Sequence, residues 1–556
     1  MSCNKTFSAT RSKPQLEINI PSPFVRKIYE FERTLSSGKS TPVSFNVTPV
    51  SGDLPLNSLT GYEETEYTDY SITGHSITGH SITENGALSY STSLDPRLNL
   101  FFKTVRGMNT ELLYELLDKS WNVSPRDTLR TLFYIRDCRG GKGEKNIFLN
   151  GLKWLWKKNP SLFEKNLPCV PFYGCFKDLR KLLLENDSTQ FKQMIVSYWS
   201  NVLGKDLESF NRNESISLAA KWVPIQSGLF TREMRLTHKM FRRMVRLLRE
   251  KLDIVECKMS ASQWDQIQFE NVCSLSHKKY NQAFSRHCQD KYQNYLEMVK
   301  KGEQKMNVGQ LYPSDIAHSY LQNNSVSNET LNLAWEQLLT KTRQNLGTTN
   351  KKFICVVDTS SSMNGKPLEV AVSLGLFLGE LYPESKFYRK FITFSAEPSI
   401  QEVKGENLFE RMKNLSQAQW QMNTNLQNVF SLLLDESTAE DHPDVVLILS
   451  DMQFDKACSP CSGTWETTSE TTSTNLEEIE KRYHQKGLVR PKLVFWNLRE
   501  NTVDFPTDTR FTNTALVSGY SPHLISCLLD EGEISPMGIY RKVIDAPRYD
   551  LVFSDS

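Results

Sequence analysis

The sequence has no apolar run approaching the about 18 consecutive residues that a membrane span requires. Its first residues, MSCNKTFSATRSKP, lack the apolar stretch of a secretory leader. It has no excess of one charge. Lys and Arg number 66 against 64 Asp and Glu, a net charge of +2, so no global field draws the chain to nucleic acid or membrane, and any attraction must be local. Its 11 cysteines are odd in number and scattered, which argues against a disulfide framework and for a reducing compartment. No Gly-x-Ser-x-Gly elbow, His-Glu-x-x-His pair or kinase set occurs, and the Gly-x-x-x-x-Gly-Lys-Ser/Thr phosphate loop is missing too. These absences predict a cytoplasmic, non-secreted protein with no membrane partner, and no enzyme of a recognisable kind.

What is present suffices for real cores: 39% of 556 residues are apolar and 11% aromatic. At roughly 100–200 residues per domain, about three units are expected. Residues 1–95 are rich in Ser, Thr, Pro and Asn and contain the five-residue repeat SITGHSITGHSITENG between Ser71 and Gly86. They read as a disordered low-complexity tail, with too little apolar surface to offset ordering entropy. His75 and His80 recur with the repeat, but two histidines are a thin ligand set. Residues 96–345 read as all-helical, because apolar residues recur at three- and four-residue spacing, as in Leu112, Leu113, Leu116 and Leu117. That length suits an array of packed helix pairs, a solenoid of divergent repeats among its forms. From Lys351 the texture changes. KKFICVVD, FYRKFITF, DVVLILSD, PKLVFWNL and NTALVSG read as strands, with a helix from Pro367 to Leu381. Apolar strands alternating with helices predict an α/β domain over 346–535 built on a parallel sheet. Residues 536–556 read as a C-terminal tail, and the Ser/Thr/Cys-rich stretch between Ala457 and Asn475 as a loop insertion.

The first of these strands runs into Asp358-Thr359-Ser360-Ser361-Ser362. Open α/β sheets bind ligands at the carboxyl ends of their strands, and a hard cation such as Mg²⁺ takes octahedral oxygen ligands with few carboxylates and retained waters. Hydroxyls at alternate positions beside one acid meet that need. The competing reading is that the same residues only cap the following helix.

With Thr424 in WQMNTNL and Asp451 in LSDMQF, the pattern resembles the von Willebrand factor A-like family, whose signature is Asp-x-Ser-x-Ser, a distant Thr and a later Asp. The resemblance implies a Rossmann-like α/β domain with a metal-ion-dependent adhesion site (MIDAS). Ser360, Ser362 and Thr424 would touch Mg²⁺ or another divalent cation, Asp358 and Asp451 would hold its waters, and one position would stay open for an acidic protein ligand. A site that keeps this shape without binding metal is the intermediate case. In the helical part, RDCRGGKGE at Arg136–Glu144, YGCFKDL at Tyr173–Leu179 and SLAAKWVP at Ser217–Pro224 resemble the TROVE module of the Ro ribonucleoprotein family. They resemble more closely a family of uncharacterised plant, fungal and large-virus proteins, domain of unknown function 2828, in which such a module precedes an A-like domain. Together the resemblances cover about Leu98 to Leu529. The Ro resemblance implies RNA as a partner.

Local charge points the same way. Arg139, Lys142 and Lys145 lie in a glycine-rich basic loop ahead of a helix, where backbone N–H groups and cations suit a phosphate. The alternative is a flexible turn with solvated charges. Lys239, Arg242, Arg243, Arg246 and Arg249 recur at helical spacing between Arg232 and Lys251, and Lys278 and Lys279 adjoin Tyr280. Cations on a face suit a phosphate backbone, and aromatics between them suit unpaired bases; an ordinary solvated face has the same composition. His238, His277 and His287 read as surface residues. Cys458 and Cys461 form a C-x-x-C pair with no further ligands at zinc spacing. The expected function is that of a non-catalytic RNA-binding protein with a Mg²⁺-dependent ligand site. An adaptor acting through the metal site without RNA is the alternative. A metal-dependent hydrolase stands third, because no general base adjoins the site.

Overall fold

The computed structural model describes residues 79–322, 327–346, 351–394, 398–416, 424–436, 442–456, 474–500, 502, 504–529 and 534–554. The first 78 residues, with His75, and residues 457–473, with Cys458 and Cys461, lie outside the described residues. The chain divides into two compact units. One contains Lys192–Leu252, and the other Gly74–Phe191 with Asp253–Ser556.

The larger unit is mostly helical and carries a sheet of six strands. Its first strands, β1 (His80–Ile82) and β2 (Leu88–Tyr90), form an antiparallel hairpin, and the six-stranded sheet comprises β3 (Phe353–Val357), β4 (Lys390–Thr393), β5 (Ile400–Glu402), β6 (Val445–Ser450), β7 (Lys492–Asn497) and β8 (Thr514–Ser518). The spatial order is β5-β4-β3-β6-β7-β8. Only β4 and β5 pair antiparallel; the other neighbours run parallel. Strands β3, β6 and β8 are buried at every position. Continuous apolar runs such as FICVV and VVLIL tolerate this because helices cover both faces of such a sheet. The chain adds β4 on one side of β3 and then returns to place β6 on the other. The strand order therefore reverses between β3 and β6, the position at whose carboxyl ends open α/β sheets bind their ligands.

The helices of 96–191 follow one another in space as in sequence: Pro96–Lys103, Thr110–Val123, Pro125–Arg136 and Lys145–Lys158 each pack on the next. Capping fixes their starts. Asp95, Asn109 and Ser124 each accept a hydrogen bond from a first-turn backbone N–H, and Pro96 and Pro125 occupy the first helical position, where the missing N–H has no consequence.

The expected boundary at 345/346 falls at the end of helix Glu329–Leu346 and inside one compact unit. Helix Glu329–Leu346 is tied to the sheet domain: Trp335 Nε1 donates to Glu380 at 2.8 Å and Arg343 donates to the carbonyls of Glu380 and Leu381. Nor do residues 536–556 behave as a tail. Helix Pro536–Ile544 and the turn Pro547–Tyr549 are packed in, with Tyr540 edge-on to Phe101 at 5.4 Å and Tyr549 stacked on Tyr173 at 5.4 Å. Likewise the end of the 1–95 stretch is ordered: Thr83, Ala87, Ser89 and Tyr90 are buried.

The unit of residues 192–252 has its own aromatic core. Trp199 lies edge-on to Phe230 at 5.5 Å, and Phe230 stacks on Phe241 at 6.1 Å. Helix His238–Lys251 buries Phe241, Met244, Val245 and Leu248 on one face and leaves Lys239, Arg242, Arg243 and Arg246 exposed on the other. Among the described residues, no helix is long and apolar enough to cross a membrane.

Candidate metal site at the sheet rim

Asp358 and Asp451 are the residues that immediately follow β3 and β6. These strands are adjacent and parallel, with Val357 level with Leu449, so both carboxylates emerge at one rim, at the strand-order reversal. Asp358 N–H donates to the Leu449 carbonyl at 3.0 Å. Its carboxylate accepts from Ser450 Oγ at 2.5 Å and from the Ser360 N–H at 2.9 Å. Both acids are buried, Asp358 fully and Asp451 with 1% exposed. Burial, and after it the neighbouring Asp451, pushes the Asp358 carboxyl up to about 6, against the lowering effect of Ser450 and Ser360. Two buried carboxylates side by side are stabilised by a cation, and the Arg499 guanidinium, 3.1 Å from Asp451 Oδ2, supplies one positive charge here.

Ser360 and Ser362 stand beside Asp358 with hydroxyl oxygens 3.0 Å apart. The two hydroxyls hydrogen bond to each other, and a separation of this size is also what neighbouring ligands of an octahedron with bonds of about 2.0–2.1 Å, about 2.9 Å apart, would need. Ser362 is the middle residue of a short 3₁₀ turn, Ser361–Met363, which leads through Gly365 (φ +89°) into helix Lys366–Gly379. Among the described residues, no group of three or more His, Cys, Asp or Glu side chains could hold a metal. The donor set here instead comprises two carboxylates and several hydroxyls, the chemistry of a hard cation rather than of zinc.

Thr424 is buried, and among the described residues its hydroxyl bonds Asp455 and Asn85 rather than Asp358, Ser360 or Ser362. Its hydroxyl donates to Asp455 Oδ1 at 2.6 Å and accepts from Asn85 Nδ2 at 2.9 Å, while the Asp455 N–H donates to its carbonyl. Direct contacts tie Asp358, Ser360 and Ser362 together, and Asp451 adjoins them. Thr424 is linked to this group through the turn Asp451–Asp455. That turn has Met452 at φ +69°, a backbone state that costs a non-glycine residue about 1–3 kcal/mol and clusters at functional sites.

Three features of the rim were not read from the sequence. Arg499, just past β7, donates to Asp451 Oδ2 at 3.1 Å. Ser450 binds Asp358; its only signal was its place beside Asp451. The β1–β2 hairpin reaches the rim too. Asn85 donates to Thr424 and to the Gln453 carbonyl at 2.8 Å, Glu84 N–H donates to Gln453 Oε1 at 2.8 Å, and Thr83 Oγ1 donates to the Phe454 carbonyl at 2.9 Å. The Asn85-Gly86 pair, a turn signal, lay hidden within the repeat.

The basic candidates fall in different settings. Lys142 is 1% exposed. Its ammonium donates to the carbonyls of Phe101 and Thr104 and to the hydroxyls of Thr104 and Ser518, so it does not face solvent. Burial pushes it down to about 7, with Glu144 acting the other way. The N–H groups of Arg139, Gly141, Lys142 and Glu144 all donate to oxygens within the loop or the preceding helix. The loop is folded on itself and its amides form no open cradle. Lys145 pairs with the buried Asp178 at 3.4 Å, and Arg139 Nη1 donates to the Phe172 carbonyl. In the unit 192–252, Arg249 caps the carbonyls of Ala220, Lys221 and Val223, and Arg246 pairs with Glu250 at 3.1 Å. Lys278 is half-buried, and burial lowers it; Lys279 lies 4.9 Å above the Tyr280 ring. His277 is not a surface residue. It is 2% exposed, bonds the Phe269 carbonyl at 3.0 Å and is held down to about 4 by burial. His287 stacks on Trp264 at 4.4 Å.

Two family models match this chain. Residues 83–194 and 230–348 match a domain of unknown function, DUF2828, and residues 352–544 match another, DUF7788. The first match includes the hairpin tip and the basic helix; the second contains every residue from Asp358 to Arg499. A similar protein is Uncharacterized protein L728 of Acanthamoeba polyphaga mimivirus. It is 28% identical over 520 residues, covering 85% of this chain and 88% of that protein.

Proposed function

We propose that this chain is a non-catalytic binding protein whose sheet domain is von Willebrand factor A-like and presents a divalent cation, Mg²⁺ by donor type, to an acidic ligand. The observation that carries the reading is the pair of Ser360 and Ser362 hydroxyls 3.0 Å apart beside two buried carboxylates from adjacent parallel strands. Ser360, Ser362 and Thr424 would hold the cation, with Asp358 and Asp451 holding its waters. When bound, the cation supplies a Lewis-acidic position for a carboxylate or phosphate oxygen. Titration of the full chain with Mg²⁺ by calorimetry tests this. Heat and a thermal shift that vanish in Asp358→Ala support it; no heat and no shift in the wild type would leave a site of the right shape without metal.

The helical part reads as TROVE-like, and its proposed partner is RNA. Support comes from helix His238–Lys251, whose exposed face carries Lys239, Arg242, Arg243 and Arg246 opposite a buried apolar face, the arrangement a phosphate backbone needs. The second reading, an adaptor working through the metal site alone, draws support from Lys142, Lys145 and Arg249, which serve internal contacts. RNA retention at low salt that falls steeply as salt rises separates the two.

A further inference from the structure

Within the larger unit lies a cleft of about 810 Å³, inside the roughly 300–1,000 Å³ range of small-molecule sites. Its walls come from the 139–140 loop, the segment Lys305–Leu311, helix Glu329–Leu346 and the turn around His523. Three permanent cations line it, Arg139, Lys305 and Lys341, together with His523. Among the described residues that line it, none is an Asp or Glu, although acids make up 64 of the 556 residues. Lys305 and Lys341 are exposed, and neither pairs with a carboxylate among the described residues. Gly309 leaves room for the Lys341 ammonium, which would stand 2.6 Å from a Cβ at that position. Asp137, whose charge acts on His523, is already held by Arg548, with Nη2 2.8 Å from Oδ1.

Like charges gathered in a concave wall reinforce one another's field, and only a counter-charge relieves them. The cleft also offers the amides of Gln310, Gln337, Gln344 and Asn345, each with a donor and an acceptor. Among the described residues that line it, no aromatic side chain other than the His523 imidazole occurs, so it suits hydrogen-bonded recognition more than stacking.

We propose that this cleft, with Arg139, Lys305 and Lys341 as its anchors, binds a small organic phosphate of nucleotide size. The cations take the phosphate oxygens through charge-assisted hydrogen bonds, and the amides meet the polar body of the ligand. This site is separate from the sheet-rim site and does not rest on it. His523 is a built-in reporter. Burial, and after it Lys341 and Arg548, lowers its pKa against the pull of Asp137. A bound phosphate offsets the cations and raises it.

The test uses the full chain with EDTA present, so that the sheet rim takes no part. ATP and inorganic pyrophosphate are titrated by calorimetry, and the His523 imidazole is followed by NMR against a His523→Gln control for assignment. The expected result is saturable binding of ATP, weakened at least tenfold in Lys305→Gln/Lys341→Gln, retained in Lys341→Arg, with the His523 pKa rising on binding. Unchanged thermal unfolding of the double variant separates lost binding from lost fold. No heat with either probe at millimolar concentration, or ATP binding indifferent to the double substitution, overturns the site. A ten-residue oligouridylate bound more than tenfold tighter than ATP, and lost with the same lysines, overturns the small-molecule assignment.

Discussion

Asn85 and Thr424, separated by 339 positions in the chain, meet at 2.9 Å, the amide donating to the hydroxyl. One residue lies in the stretch that matches DUF2828 and the other in the stretch that matches DUF7788. Because Thr424 is a candidate ligand, the hairpin is part of the rim that would hold the cation. Asn85→Ala removes the bonds to Thr424 and to the Gln453 carbonyl, each worth about 0.5–1.5 kcal/mol. We expect destabilisation of about 1–2 kcal/mol in denaturant unfolding and faster proteolysis within residues 79–90. Equal cleavage rates for variant and wild type would mean that the hairpin is held by other contacts.

The two acids of the rim are expected to differ from ordinary core residues. Asp358→Asn keeps the shape and removes a buried charge, so the metal-free protein should lose little stability while Mg²⁺ no longer raises the unfolding temperature. In the wild type, Mg²⁺ at 100 times its Kd stabilises by about 2.7 kcal/mol. A thermal shift of equal size in Asp358→Asn would move the cation elsewhere.

Arg499 supplies Asp451 with a positive charge at 3.1 Å and therefore competes with a metal for it. Arg499→Gln should raise Mg²⁺ affinity by up to about fivefold, the ~1 kcal/mol scale of a partly exposed ion pair. The same substitution without metal should lower stability slightly, since Asp451 is then left buried and unpaired. Calorimetry on both proteins decides this; weaker Mg²⁺ binding in the variant would give Arg499 a supporting role instead.

Lys142 links stability to pH. Its folded pKa is about 7, below the unfolded value of about 10.4. Between these values the unfolded chain binds more protons, so stability rises with pH across that window and falls as pH drops towards 7. Lys142→Met should flatten that slope relative to wild type, and at pH 10 should be the less stable protein because the carbonyls of Phe101 and Thr104 lose their donor. Parallel stability curves between pH 7 and 10 would show that Lys142 does not titrate there.

For the basic helix, the triple reversal Arg242→Glu, Arg243→Glu and Arg246→Glu should leave the fold intact, because these side chains are exposed. RNA retention at low salt should then fall by more than tenfold, with a shallower salt slope. Unaltered retention would clear this face of the role.

Much of the sheet was legible. FICVV, VVLILS and KLVFWN are apolar at nearly every position, a pattern that only a sheet covered on both faces needs, and all form strands. Asp358 and Asp451 were legible because each follows such a run. The edge strand Ile400–Glu402 was missed, since three residues, two half-exposed and one exposed, carry little pattern. The hairpin of 80–90 was read as tail because its ordering depends on contacts with residues some 370 positions away. The helix at 536–544 was missed for the same reason.

Local sequence by itself determined where helices and strands begin and which oxygens follow the strands, because periodicity and capping act over a few residues. Tertiary structure alone decided which charges remain available. Lys142 and Arg139 lie three positions apart in one basic loop. The fold buries Lys142 among carbonyls, whereas Arg139 stays exposed at the lining of a cleft with one guanidinium nitrogen on the Phe172 carbonyl. Desolvation and counter-charge depend on neighbours distant in the chain, and no local pattern encodes them.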